Sequence, residues 1–254
     1  MYIQELFGLG GKVAVVTGGS RGIGQVVACG FARAGAEVAI LCRSSAAETV
    51  GMIQAEGGAA YWIPADVTQE DEVNAAFAQI LERSGGVDVV FNNAGICVHE
   101  PTLETTVETF RRVVDVNLTG EFIVARAAGK IMIERGAKGS IINMASMSGS
   151  VVNLPQWQCS YNASKAAVIH MTRSLAAEWA EHGIRVNSIS PGYIATTMSV
   201  DVPEDLKSAW LRLIPMRRMG DPEELIPPIL YLASAAAGYT SGSDVVVDGA
   251  YTCV

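Results

Sequence analysis

Tyr161 and Lys165 stand four residues apart and could do acid–base chemistry together. Positions i and i+4 of a helix share a face, so both side chains would point the same way. A tyrosine near its reference pKa of about 10 is a poor base at neutral pH. An adjacent ammonium favours the phenolate and is expected to lower that value. The phenol could then exchange a proton with a substrate oxygen. Any helix can carry this pair by chance, so its weight depends on the rest of the chain.

The chain also carries a glycine loop, Thr17-Gly18-Gly19-Ser20-Arg21-Gly22-Ile23-Gly24, between a first β-branched run and a first helical pattern. Glycines let the backbone turn sharply and approach a pyrophosphate, and a helix N-terminus offers free N–H groups to it. The strand–loop–helix setting is what such a motif requires. The end of the second strand is where the adenosine ribose of a dinucleotide would lie. It reads Cys42-Arg43-Ser44-Ser45, without a carboxylate. A carboxylate there suits a free 2′-hydroxyl, whereas a 2′-phosphate needs a cation. Arg43, with Arg21 in the loop, supplies bidentate guanidinium donors. The expected cofactor is NADP(H).

The elements that must position these residues alternate along the chain. Short apolar runs at Lys12–Thr17, Glu37–Leu41, Ala60–Ala65, Val87–Asn92, Ser140–Ala145, Arg185–Ser190 and Asp244–Asp248 are separated by helical patterns. Several runs are apolar on consecutive residues, as in strands covered on both faces. The expected fold is α/β, a single-domain, Rossmann-type, doubly wound parallel sheet of about seven strands over residues 1–254. Residues 198–220, rich in Pro and Gly breaks, read either as a substrate lid or as a surface excursion.

The glycine spacing is Gly18-x-x-x-Gly22-x-Gly24. With it come Asn92-Asn93-Ala94-Gly95 after the fourth strand and Asn117 in Val116-Asn117-Leu118. Tyr161-Asn162-Ala163-Ser164-Lys165 and Pro191-Gly192 follow. In this order and over nearly the whole length, the chain resembles the short-chain dehydrogenase/reductase family. The resemblance implies a catalytic set of Asn117, a serine, Tyr161 and Lys165, with Lys165 also bonding the nicotinamide ribose. Asn117 would hold a water in a proton relay; a helix kink or cap is its other reading. Alignment to the end of the fifth strand selects Ser146 as the serine, while the commonest family spacing selects Ser148. The serine would stabilise charge developing on the substrate oxygen. Cofactor contacts implied by position are Gly18, Ser20, Arg21, Gly22, Ile23, Gly24, Arg43, Ser44, Asp66, Val67, Asn93, Ala94, Gly95, Tyr161, Lys165, Pro191, Gly192, Ile194 and Thr196. Asp66 would meet the adenine, or else cap the turn before a helix starting at Thr68.

The stretch from Ser146 to Gln156 and the ending Asp248-Gly249-Ala250-Tyr251-Thr252 are similar to the polyol-dehydrogenase and ketose (sorbose) reductase branch. That implies interconversion of a ketose and a polyol, with Ser146, Ser148, Asn153, Gln156 and Tyr161 around the substrate. Asn153 and Gln156 could instead only shape the loop. Trp157 is expected to narrow the pocket. The same chemistry on a ketoacyl thioester, a keto acid or a hydrophobic ketone is the alternative. A non-catalytic dinucleotide-binding regulator fits less well, because Ser146, Tyr161 and Lys165 are all present.

Composition bounds the partners. The net charge of −8 argues against nucleic acid or an anionic membrane. The five cysteines, Cys29, Cys42, Cys97, Cys159 and Cys253, are scattered, as are the three histidines. No metal site is expected, and a reduced cytoplasmic setting is. No signal peptide is expected, and the most apolar late stretch, Leu225 to Gly238, is too short for a membrane span. The resemblance implies a homotetramer. The apolar stripes Val168, Met171, Leu175, Trp179 and Val124, Ala127, Ala128, Ile131 could equally face the sheet.

Overall fold

The computed structural model describes residues 2–196 and 202–254. Seven strands form one all-parallel sheet in the order β3-β2-β1-β4-β5-β6-β7. They are β1 Val13–Thr17, β2 Glu37–Cys42, β3 Ala60–Pro64, β4 Val89–Asn92, β5 Gly139–Met144, β6 Ile184–Pro191 and β7 Asp244–Val247. Each expected strand is present, with ends moved by one or two residues. Among the described residues the helices are α1 Tyr2–Phe7, α2 Gly22–Arg33, α3 Ala47–Ala55, α4 Glu70–Ser84, α5 Val107–Val114, α6 Gly120–Glu134, α7 Cys159–Trp179, α8 Glu204–Leu213 and α9 Ile226–Ala233.

The consecutive apolar residues of the strands divide between two cores. Val15, Leu41, Val90 and Ile141 face one side, against Phe77 and Ile80 of α4, Val124 and Ala128 of α6, and Leu175 and Trp179 of α7. Ala14, Val16, Ile40, Phe91 and Ile142 face the other, against Val27 and Phe31 of α2, Ile53 of α3, and Ile229 and Leu232 of α9. Period-two alternation thus sends neighbours to opposite layers, and both layers are covered. The two helical stripes pack on the first of these cores, with Met171 and Ile131 partly buried at its margin, except Val168, which packs with Ala145 and Ile169 in a small separate cluster.

β1 and β4 lie side by side where the strand order reverses. In such sheets the crevice at the carboxyl ends of these two strands is the binding position. The loops that follow them are tied together. Thr17 Oγ1 accepts from the backbone N–H groups of Asn93 (2.9 Å) and Ala94 (3.0 Å), and Asn93 Nδ2 donates back to the carbonyls of Thr17 and Gly18. α4 begins at Glu70 rather than Thr68.

Of the segment 198–220, residues 198–201 lie outside the described residues. The remainder holds α8, whose Trp210 is buried.

Candidate active site

A cavity of about 1020 Å³ opens over the carboxyl ends of the strands. Every cofactor or substrate position expected from the sequence lines it except Gly24, which packs beneath the loop. At one end lie Gly18, Ser20, Arg21, Gly22, Ile23, Arg43, Ser44, Asp66 and Val67. Asn93, Ala94 and Gly95 form the middle. At the other end Ser146, Ser148, Asn153, Gln156, Tyr161 and Lys165 face Pro191, Gly192, Ile194 and Thr196.

The glycine loop fits a dinucleotide. Gly18 adopts φ +66°, a conformation that an L side chain resists. The α2 N-cap, Arg21, makes no side-chain capping bond, so the first amides of α2 stay available to an anion. A Cβ on Gly24 would lie 2.5 Å from the Gly18 carbonyl oxygen and 2.5 Å from Asn93 Nδ2. Gly24→Ala should therefore force the loop apart. The expected cost is about 1–3 kcal/mol, as for other overpacked sites, or about 2–4 °C of Tm for each kcal/mol. Thermal unfolding would measure it, and an unchanged Tm would contradict the close packing.

Arg43 projects from the end of β2 and is 70% exposed, with Nη1 3.5 Å from the Asp66 carboxylate. Asp66 Oδ1 also accepts from Thr68 N (3.0 Å) and Thr68 Oγ1 (2.8 Å). Burial raises its pKa, but the Thr68 bonds and Arg43 outweigh that and hold the carboxyl below its usual value. Asp66 thus caps its turn and pairs with Arg43 while also lining the cavity. Ser20 and Ser44 hydroxyls meet at 3.2 Å beside it.

At the other end, α7 brings Tyr161 and Lys165 to the cavity on successive turns. Lys165 Nζ lies 6.0 Å from the centre of the Tyr161 ring. Ser146, just past β5, lies close enough to Tyr161 to favour its phenolate, whereas the Ser148 hydroxyl accepts from Gln158 Nε2 at 3.2 Å. The geometry therefore favours Ser146 as the partner of the phenol. Burial raises the Tyr161 pKa, and this outweighs the opposing pull of Lys165 and Ser146. The simple expectation of a lowered value is corrected here: the desolvation of the phenolate on burial is the larger effect.

Asn117 sits in a π-helical turn, Asp115–Thr119, that joins α5 to α6. Such a bulge re-aims one side chain within an otherwise continuous helix. Asn117 Oδ1 accepts from Ile96 N (2.8 Å), and Nδ2 donates to Ile96 O (2.8 Å) and Ser164 Oγ (3.1 Å). Asn117 therefore stands at a break in the α-helical run, as its kink reading expected. Asn117 itself is fully buried behind the cavity wall.

Four features were not anticipated. Lys165 donates to the Glu121 carboxylate at 3.0 Å and to the Met144 carbonyl, and Lys165 and Glu121 are each 2% exposed. Tyr193 stacks on Trp210 with ring centres 4.3 Å apart. Gln156 links the two, donating to Tyr193 Oη and accepting from Trp210 Nε1, both at 2.8 Å. Gln158 donates to Ser148, Asn153 and Asn162. Asn153 is thus engaged by Gln158 and Tyr193, so both amides expected at the substrate shape the wall through other side chains. Finally, Cys97 and His99 line the wall. Burial pushes the Cys97 thiol up to about 12 and holds the His99 imidazole below its usual value. Trp157, by contrast, is 55% exposed and is not among the lining residues, so it does not narrow the pocket.

A glycine cradle, an arginine at the ribose end and a Ser–Tyr–Lys group at the far end of one crevice define a nicotinamide-dinucleotide oxidoreductase site. A family profile described as enoyl-(acyl carrier protein) reductase matches residues 18–252. The chain belongs to the short-chain dehydrogenase/reductase family, whose members here are dehydrogenases acting on CH–OH groups. It is 43% identical to a galactitol 2-dehydrogenase (L-tagatose-forming) of Cereibacter sphaeroides, with 99% of each chain covered. It is 45% identical to a probable NADP-dependent mannitol dehydrogenase of Yarrowia lipolytica, covering 99% of this chain and 91% of that one. The crystal structure of a short-chain type dehydrogenase/reductase from Mycobacterium marinum superposes with a TM-score of 0.96 at 47% identity, covering 99% of this chain and 100% of that one.

Proposed function

We propose that this chain interconverts a ketose and a polyol with NADP(H) as the hydride carrier. The observation that carries the substrate class is the character of the cavity's far end. Ser146, Ser148, Asn153, Gln156, Gln158 and Tyr193 make it polar, while its cation, Lys165, is buried against Glu121. A wall of neutral donors and acceptors suits a neutral polyhydroxylated chain and rejects analogues that leave those groups unpaired. The galactitol and mannitol dehydrogenases named above support this reading. Arg43 at the end of β2, reinforced by Arg21, supports the 2′-phosphate.

In this reading Gly18, Gly22 and the amides of α2 hold the pyrophosphate, and Arg21, Arg43 and Ser44 hold the phosphorylated ribose. When bound, the nicotinamide supplies the hydride exchanged at the substrate carbon. Tyr161 gives or takes the proton at the substrate oxygen, and Ser146 donates a hydrogen bond to that oxygen. Lys165 holds positive charge near the phenol, and Asn117 fixes the backbone of Ile96 on the proton path. The described part of the lid segment, residues 202–220, is anchored through Trp210 and Gln156. The working form is a cytoplasmic homotetramer.

The purified protein should oxidise NADPH with at least one of fructose, sorbose, ribulose and xylulose, followed at the nicotinamide absorbance. Silence on all four, with NADPH bound normally, would discard the ketose reading and turn the search to other carbonyls. A monomeric mass in solution would remove the tetramer.

A further inference from the structure

The mechanism above leaves a buried carboxyl group without a task. Glu121, on the first turn of α6, faces Lys165 of α7 at 3.0 Å with both side chains closed off from solvent. Its position is fixed from below. Asn92 Nδ2 of β4 donates to the Glu121 carbonyl (3.2 Å) and to Asn143 Oδ1 (2.9 Å), and Asn143 Nδ2 donates to Thr172 of α7 (2.9 Å). Only one carboxylate oxygen is partnered; Glu121 Oε2 is buried without a hydrogen bond. Such a pair is a poor device for stability, because desolvation of both ions offsets their attraction.

We propose that Glu121 is a positioning residue that sets the charge felt by Tyr161, acting through Lys165. This rests on Tyr161 being the proton-transfer group. An ionised Glu121 neutralises the Lys165 ammonium and so opposes the phenolate; a protonated Glu121 leaves the ammonium's charge uncompensated and favours it. The buried carboxyl is raised to about 7, chiefly by desolvation, with Lys165 pulling the other way. Its charge therefore changes within the working pH range. The Cys97 thiol, which also acts on Tyr161, stays neutral there at about 12, and burial holds the His99 imidazole on the cavity wall below its usual value.

The test is Glu121→Gln, which keeps the size and an acceptor for Lys165 but removes the charge. Tyr161 ionisation is read directly as phenolate absorbance, subtracting a Tyr161→Phe partner from each protein, so no substrate is needed. Glu121→Gln should lower the pH of Tyr161 ionisation by about one unit, a tenfold rise in phenolate fraction at fixed pH. The pH at which alcohol oxidation reaches half its maximum should fall in parallel. Glu121→Asp, which keeps the charge, should behave as wild type. A Tyr161 titration that is unmoved, or moved upward, overturns the proposal, as does an activity loss equal at every pH. If Glu121→Gln does not fold, Lys165→Met replaces it. Without its cation the Glu121 carboxyl should stay protonated to higher pH, read from its infrared carbonyl band, and an unmoved band overturns the coupling. An active Tyr161→Phe would instead refute the catalytic reading on which this rests.

Discussion

Tyr161→Phe should lower kcat by about 10²–10⁴, the usual contribution of a positioned acid–base group, while NADP(H) binding stays close to wild type. The hydroxyl is the one atom removed, and the ring keeps its place on α7. Ser146 and Lys165 remain, so the pocket should bind cofactor and sugar as before and fail in proton transfer. Steady-state kinetics with a cofactor-binding titration separates the two. A variant with kcat within tenfold of wild type would mean that another group handles the proton, and would remove Tyr161 from the centre of the site.

The second large effect is expected at the ribose end. Arg43 is exposed and its ion pair to Asp66 is loose at 3.5 Å, so its guanidinium can turn to an incoming phosphate. A hydrogen bond to a charged group contributes about 1.5–3 kcal/mol, or roughly ten- to hundredfold in affinity. Arg43→Asp removes that and places a carboxylate where the 2′-phosphate would sit. The expected result is a fall of about ten- to hundredfold in kcat/KM for NADPH, with NADH affected far less. The ratio of kcat/KM for the two cofactors is the measurement. If NADH is already preferred by the wild type, Arg43 is a solvated surface charge and the cofactor assignment is wrong.

These two residues also mark how far the sequence could be read. Val13 to Val16 announce a two-faced strand because four consecutive apolar residues have no solvent side to spare. Tyr161 and Lys165 are legible because one helix turn separates them, and Arg43 because it ends a strand. Glu121 was not legible. It lies forty-four positions from Lys165 and becomes its partner only when α6 and α7 pack on one face of the sheet. Trp210 and Tyr193 escaped for the same reason, since their stacking joins two segments that meet only above the cavity. The direction of the Tyr161 shift was misjudged because spacing reveals the nearby ammonium but not the depth of burial. A choice between Ser146 and Ser148 likewise needs the side-chain directions, which differ although the two are neighbours on one short turn.

The place of β1 in the sheet bears on how the chain is made. One flank of β1 is covered by β2, which follows soon after it. The other waits for β4, and Val13 N meets its partner Asp88 seventy-five positions later. As the polypeptide leaves the ribosome, Ala14, Val15 and Val16 keep an open backbone edge until Asn92 has emerged. An apolar edge left bare for so long is a template for pairing with another nascent chain. Non-local parallel pairing of this kind is also slow to form. Overproduction at high temperature should therefore favour aggregates, and slower synthesis in the cold should favour native enzyme.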